Sequence, residues 1–159
     1  MRQIVIISGK GGTGKISLSA ALATMGEQLS EQMGVETILI DGPPGTGCPA
    51  ISAMSGTDLA LLVTEPSRSG FHDLRRVKQL ADGFGIPSVV VINKYDLNEQ
   101  VTAEIEAWCR SGKLPLIGRI PFEPAVVEAM LQCRTVVEWA PRSAAAGEIA
   151  AIHRHIFQS

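Results

Sequence analysis

The sequence predicts an α/β fold, a mainly parallel five-stranded sheet with helices on both faces, and three observations predict it. Short runs of β-branched and aliphatic residues alternate with segments of helical periodicity, joined by short connections, the pattern of right-handed β-α-β units. The composition is 45% hydrophobic but only 4% aromatic, so the core must come from Val, Ile, Leu and Ala, as in a sheet covered on both sides. The residues able to do chemistry follow directly after the apolar runs, where such sheets bind ligands. At 159 residues the chain is expected to form one domain, residues 1–159.

The first strand is Ile4 to Ile7, and a glycine-rich loop interrupts it at once. After the loop, Leu18, Leu22, Met25 and Leu29 lie at i, i+4, i+7 and i+11, one stripe of a helix, with Gly34 placed to end it. Thr37 to Ile40 is the second strand and runs into Asp41-Gly42-Pro43-Pro44-Gly45-Thr46-Gly47. Leu59 to Val63 is the third, followed by Thr64-Glu65-Pro66 and a helix marked by Phe71, Leu74, Val77 and Leu80, closed by Gly83, Gly85 and Pro87. Arg75, Arg76 and Lys78 on it read as a solvated face rather than a binding patch. Ser88 to Ile92 is the fourth strand and delivers Asn93-Lys94-Tyr95-Asp96. Asn98 caps a helix carrying Val101, Ile105 and Trp108, stopped by Gly112. Leu116 to Ile120, the fifth strand, leads to Pro121, and Pro124 suits the first position of a helix containing Val127, Met130 and Leu131. Beyond a less regular stretch, Ser143 caps a last helix with Ala145, Ile149, Ile152 and Ile156 on one side. That stripe is expected to dock on the sheet; its basic content is low for a membrane-targeting helix.

Charge and cysteines exclude several classes. A net charge of −2 offers no footprint for nucleic acid. No apolar run is long enough to span a bilayer and no signal-peptide layout is seen, so a cytoplasmic protein is expected. Cys48, Cys109 and Cys133 lack the C-x-x-C spacing of a zinc site or a disulfide framework. Cys48 reads as a small, partly buried residue rather than a cluster ligand.

The loop carries the chemistry. Gly9, Lys10, Gly11, Gly12, Thr13, Gly14 and Lys15 fit G-x-x-x-x-G-K between a strand and a helix. Glycines let backbone N–H groups converge on an anion, and the helix start adds unsatisfied donors and the positive end of its dipole. Lys15 neutralises the β- and γ-phosphates. The next position normally carries Ser or Thr to ligate Mg²⁺; here it is Ile16, and Ser17 lies about 100° further round the helix. Asp41, at the end of a strand, is where such proteins keep the acid that holds magnesium through its water shell. Asn93 to Asp96 reads either as N-K-x-D, which selects guanine, or as an Asn-Lys base turn with Asp96 starting the next loop.

Lys10, a second lysine within the loop, makes Gly9 to Lys15 resemble the deviant Walker A loop of MinD-, ParA- and Mrp-type ATPases. Ile40 to Pro49, Thr64-Glu65-Pro66 with Gly70 to Asp73, and Ile92 to Asn98 look like the MinD-superfamily ATPases that carry an inserted ferredoxin domain. The resemblance implies a three-layer P-loop NTPase fold and an ATP-dependent homodimer. In it Lys10 reaches the partner's phosphates, Lys15 its own, and Asp41 the metal. It further implies that Asn93 and Lys94 face adenine, with the segment at Pro121 closing over the base, which favours ATP over GTP. The family's second strand, its switch segment with a catalytic Asp and its cluster-binding insert have no counterpart here. The remaining strands can keep the order 2-1-3-4-5. No iron–sulfur cluster is expected from this chain alone, although the family suggests a redox or iron–sulfur client. Ile16 and the missing Asp weaken both magnesium coordination and water positioning, which points to slow turnover. Two other readings stay open: a nucleotide-responsive partner module that hydrolyses little, and a GTPase using Asn93 to Asp96.

Overall fold

The computed structural model describes residues 1–33 and 37–157, and within them the side chains outside 27–33. In chain order the elements are β1 (Arg2–Ile7), α1 (Lys15–Met33), β2 (Thr37–Asp41), α2 (Cys48–Met54), β3 (Leu59–Thr64), α3 (Arg68–Gly83), β4 (Ser88–Asn93), α4 (Glu99–Ser111), β5 (Leu116–Ile120), α5 (Pro124–Leu131), α6 (Val136–Trp139) and α7 (Ala144–Phe157). All four strand pairings are parallel and the sheet order is β2-β1-β3-β4-β5. This is the expected order, and each expected strand is present. The helix end expected at Gly34 and the Leu29 side chain lie outside the described residues.

Strand alternation separates two cores. Ile4, Ile6, Leu61, Val63, Val89 and Val91 point to the face covered by α1, α5, α6 and α7. Val5, Ile7, Leu62, Val90 and Ile92 point to the other, covered by α2, α3 and α4. Helices on both faces leave β1 with Ile4 to Ile7 fully buried, so the loop that follows springs from an enclosed strand. Local signals act as expected. Asn98 Oδ1 accepts from Val101 N at 3.1 Å, Ser143 Oγ accepts from Ala146 N at 3.2 Å, and Pro124 opens α5.

The last helix docks on the sheet. A Cβ at Gly118 of β5 would overlap the Ile152 side chain, so the bare backbone there is what lets α7 sit close. Ala145, Ile149, Ile152 and Ile156 are all buried, and His153 with them.

One expectation is corrected. Cys48 is exposed rather than partly buried, because it opens α2, an element hidden by the Gly-Pro-rich run before it. Val127, Met130 and Leu131 of α5 face outward at 53%, 57% and 77% exposure, while Ala129 makes the buried contact. The charges on α3 lie on a solvated face as expected, with Arg75 and Arg76 exposed; Arg75 covers the Phe71 and Trp108 rings, Arg76 donates to Thr46 Oγ1, and Lys78 pairs with Asp82.

Candidate functional site

The loop from Ser8 to Gly14 is held on three sides. At its start, a Cβ on Gly9 would overlap Asp73 of α3, so the backbone lies directly on that helix. Ser8 Oγ donates to Lys10 O at 2.8 Å, and Gly45 N donates to Ser8 O at 2.9 Å, which ties the Gly42–Gly47 segment to the loop's root. At its end, Asn93 Nδ2 donates to Thr13 O at 2.8 Å. Gly12 and Gly14 have φ of +80° and +81°, and a Cβ on Gly14 would also meet the Asn93 amide. The crest is open, with nothing within 4 Å of a Cβ built on Gly11 or Gly12.

Both loop lysines meet a carboxylate from the end of a neighbouring strand. Lys15, 7% exposed, pairs with Asp41 Oδ1 after β2. Ser19, one turn along α1, places its Oγ 3.2 Å from the same oxygen and 2.9 Å from Lys15 O. Lys10 pairs with Glu65 Oε1 after β3 at 2.7 Å and donates to Ser69 Oγ at 3.1 Å and Ser67 Oγ at 3.4 Å.

Beyond Gly14 the loop borders a cavity of ≈ 350 Å³ whose lining runs from Gly11–Leu18 past Asn93 and Lys94 to Ile120, Val126, Val127 and Met130. Lys94 takes a left-handed conformation at φ 56°, strained for a lysine, and leads into a 3₁₀ turn, Tyr95–Leu97. Asp96 Oδ1 accepts from Phe122 N at 2.7 Å, so this acid anchors the segment after Pro121.

The donor set fits a phosphate tail. Thr13 Oγ1 is buried without a hydrogen-bond partner among the described residues, beside an open crest of amides. It does not fit the expected magnesium. Ile16 is 69% exposed and brings no oxygen, and Ser17 Oγ turns to Met130 Sδ at 3.3 Å. Asp41 carries Lys15 and Ser19 instead. Among the described residues no group of three or more His, Cys, Asp or Glu could hold a metal, and burial pushes the Cys109 thiol up to about 11.

The structure thus brings Gly9 to Ser17, Asp41, Asn93 and Lys94 to one edge, with Asn93 supporting the loop through its amide. Pro121 is not among the residues lining the cavity; its neighbour Ile120 is, and Phe122 N on its other side is held by Asp96. Sequence reasoning missed Ser19, Ser67 and Ser69, and gave Glu65 no role although it placed the Thr64-Glu65-Pro66 stretch at this edge. The spacing of four between Lys15 and Ser19, which puts both on one helix face, could have found the first. Glu65 was visible as part of a motif after a strand, but nothing in its spacing pointed to Lys10.

Residues 4–136 match the family model of the CobQ/CobB/MinD/ParA nucleotide-binding domain. Uncharacterized protein MJ0578 of Methanocaldococcus jannaschii is 34% identical over 90 residues, covering 57% of this chain and 30% of that protein. The cytosolic Fe-S cluster assembly factor Nubp1 homolog of Drosophila willistoni is 25% identical over 115 residues, 60% of this chain and 37% of its own. The chain therefore spans well under half the length of these relatives. Among solved structures, the septum site-determining protein MinD of Pyrococcus horikoshii, complexed with Mg-ADP, superposes with a TM-score of 0.81 at 22% identity, covering 99% of this chain and 96% of that one. The likeness in fold extends over all five strands.

Proposed function

The chain belongs to the CobQ/CobB/MinD/ParA nucleotide-binding family, and from that premise we propose that it binds ATP and ADP in the Gly9–Ser17 loop and hydrolyses ATP slowly as a homodimer. The observation that carries this reading is the loop itself: an open crest of glycine amides with an ammonium group at each end, Lys10 and Lys15. Backbone N–H groups from Gly11 to Lys15 hold the phosphates, and Lys15, enclosed at the start of α1, meets them beside Asp41. Asn93 fixes the loop through Thr13 O. The base lies in the adjoining cavity, whose aliphatic wall of Ile120, Val126 and Val127 suits an adenine face.

Slow turnover is supported by the same side chains. Asp41 and Glu65 are the acids that contact the loop's lysines, and each is committed to an ammonium. Without a hydroxyl at position 16, nucleotide binding is expected to depend only weakly on magnesium. If hydrolysis is negligible the protein is a nucleotide-responsive partner module, a reading that the exposed Ile16 favours. ATP is preferred to GTP because Asp96, the carboxylate that would read guanine, accepts from Phe122 N. The Nubp1 homolog among its relatives supports an iron–sulfur client.

Calorimetry with ATP, ADP and GTP, each with and without magnesium, tests the reading alongside phosphate release. ATP and ADP are expected to bind in both conditions, with GTP weaker. A fast, strictly magnesium-dependent turnover would overturn the account of position 16, and no binding of any nucleotide would overturn the site.

A further inference from the structure

Lys10 sits in a cradle that its own subunit builds. Glu65 supplies the carboxylate and Ser67 and Ser69 two hydroxyls, all within 3.4 Å of the ammonium. The cradle is rigid. Ser67 caps α3 by accepting from Gly70 N at 3.0 Å, Thr64 Oγ1 donates to Gly70 O at 3.1 Å, and Ser67 N donates to Glu65 O at 2.8 Å. A Cβ at Gly70 would crowd Glu65 O, so the turn is wound as tightly as glycine allows. The loop backbone beside Lys10 is equally fixed, since Gly9 lies on Asp73. What can move is the lysine side chain, which is 32% exposed and carries its ammonium on a flexible four-carbon stem.

We propose that Glu65 is a positioning residue that holds Lys10 within its own subunit, and that the phosphates of a bound ATP must draw the ammonium off Glu65 to gain it. The inference rests on the nucleotide reading above and adds the group against which the nucleotide competes. A carboxylate carries one negative charge and a triphosphate tail several, so ATP wins the competition only once it is bound nearby. Lys10 is thereby kept from stray anions, and its release is coupled to occupancy.

The test measures acylation of the Lys10 amine by mass spectrometry, with Lys113 as internal reference, and ATP affinity by calorimetry. Glu65→Gln is expected to raise Lys10 labelling without nucleotide, and to tighten ATP binding, each by about two- to fivefold. Glu65→Asp, which keeps the charge, stays closer to the unmodified protein. In a Lys10→Ala background Glu65→Gln changes ATP affinity no further. Unchanged Lys10 labelling in Glu65→Gln overturns the pairing, and tightening that persists without Lys10 overturns its route. Should the unmodified chain bind no ATP while Glu65→Gln still exposes Lys10, the nucleotide reading is what fails, and displacement falls with it.

Discussion

The two ends of the glycine-rich loop carry one lysine each, and they are held differently. At the far end Lys15 is enclosed and its acid is not: the side chains of Lys15 and Asp41 are 8% and 50% exposed. At the near end the order is reversed, with Lys10 at 32% and Glu65 at 21%. Lys15 is placed by packing on α1, with its ammonium brought to a carboxylate standing in water. Lys10 is placed by the carboxylate, with the rest of its side chain loose. A buried cation needs its partner to offset desolvation, whereas a half-exposed one gains little from pairing. The first lysine is therefore part of the architecture and the second a movable group.

The widest gap between the ends is expected in nucleotide affinity. Lys15→Ala removes a charged donor that the fold delivers already oriented, and should weaken ATP binding by about 100-fold, whereas Lys10→Ala should cost about fivefold or less; equal losses in calorimetry would erase the distinction. Next comes the backbone beneath the near end. Gly9→Ala forces a Cβ into Asp73 and should lower unfolding stability by about 1–3 kcal/mol in denaturant titration; a variant as stable as the parent would mean that the loop does not rest on α3.

A smaller effect separates the two acids. Asp41→Asn leaves an enclosed ammonium with a weaker partner and should cost about 1–2 kcal/mol of stability, against under about 1 kcal/mol for Glu65→Gln. Thermal melts of both variants, without nucleotide, measure the difference. The smallest effect lies away from both ends and sets the background for pH work on them. His153 is buried with Nε2 unpartnered among the described residues, and burial, then the nearby Arg154, lowers its pKa below 6.5. Just below that value the unfolded chain binds a proton that the folded chain refuses, so stability is complete above about pH 6.5 and falls as the pH drops further. His153→Leu should flatten that slope in melts between pH 7 and pH 5, and an unchanged slope would assign it to another group.

The far end was legible in the sequence and the near end only half so. Lys15, the glycines and Asp41 belong to patterns set by local spacing, and so do the five strands and the caps at Asn98 and Ser143. Lys10 stood out as a second lysine, but its acceptors lie 55 to 59 residues away and meet it only because β1 and β3 are neighbours. Ile16 was visible as a defect; that Ser17 turns to Met130 while Ser19 turns to Asp41 depends on where α5 and β2 fall round α1. Helix α2 escaped notice because its seven residues follow glycine and proline. Periodicity named Val127, Met130 and Leu131 as helical, but it cannot say which side of a short helix finds a neighbour.

The segment 121–123 is gripped at two points. Asp96 holds Phe122 N, and Glu123 Oε2 accepts from Ala145 N at 2.8 Å in the first turn of α7. A shift of this short span toward the cavity must therefore either snap one of those two ties or drag the start of α7 with it. Because Ile152 is seated over Gly118 two turns further on, α7 cannot slide freely and would have to tilt about that seat. Movement above the cavity is thus geared to α7, whose Ile149 lines that same cavity from below.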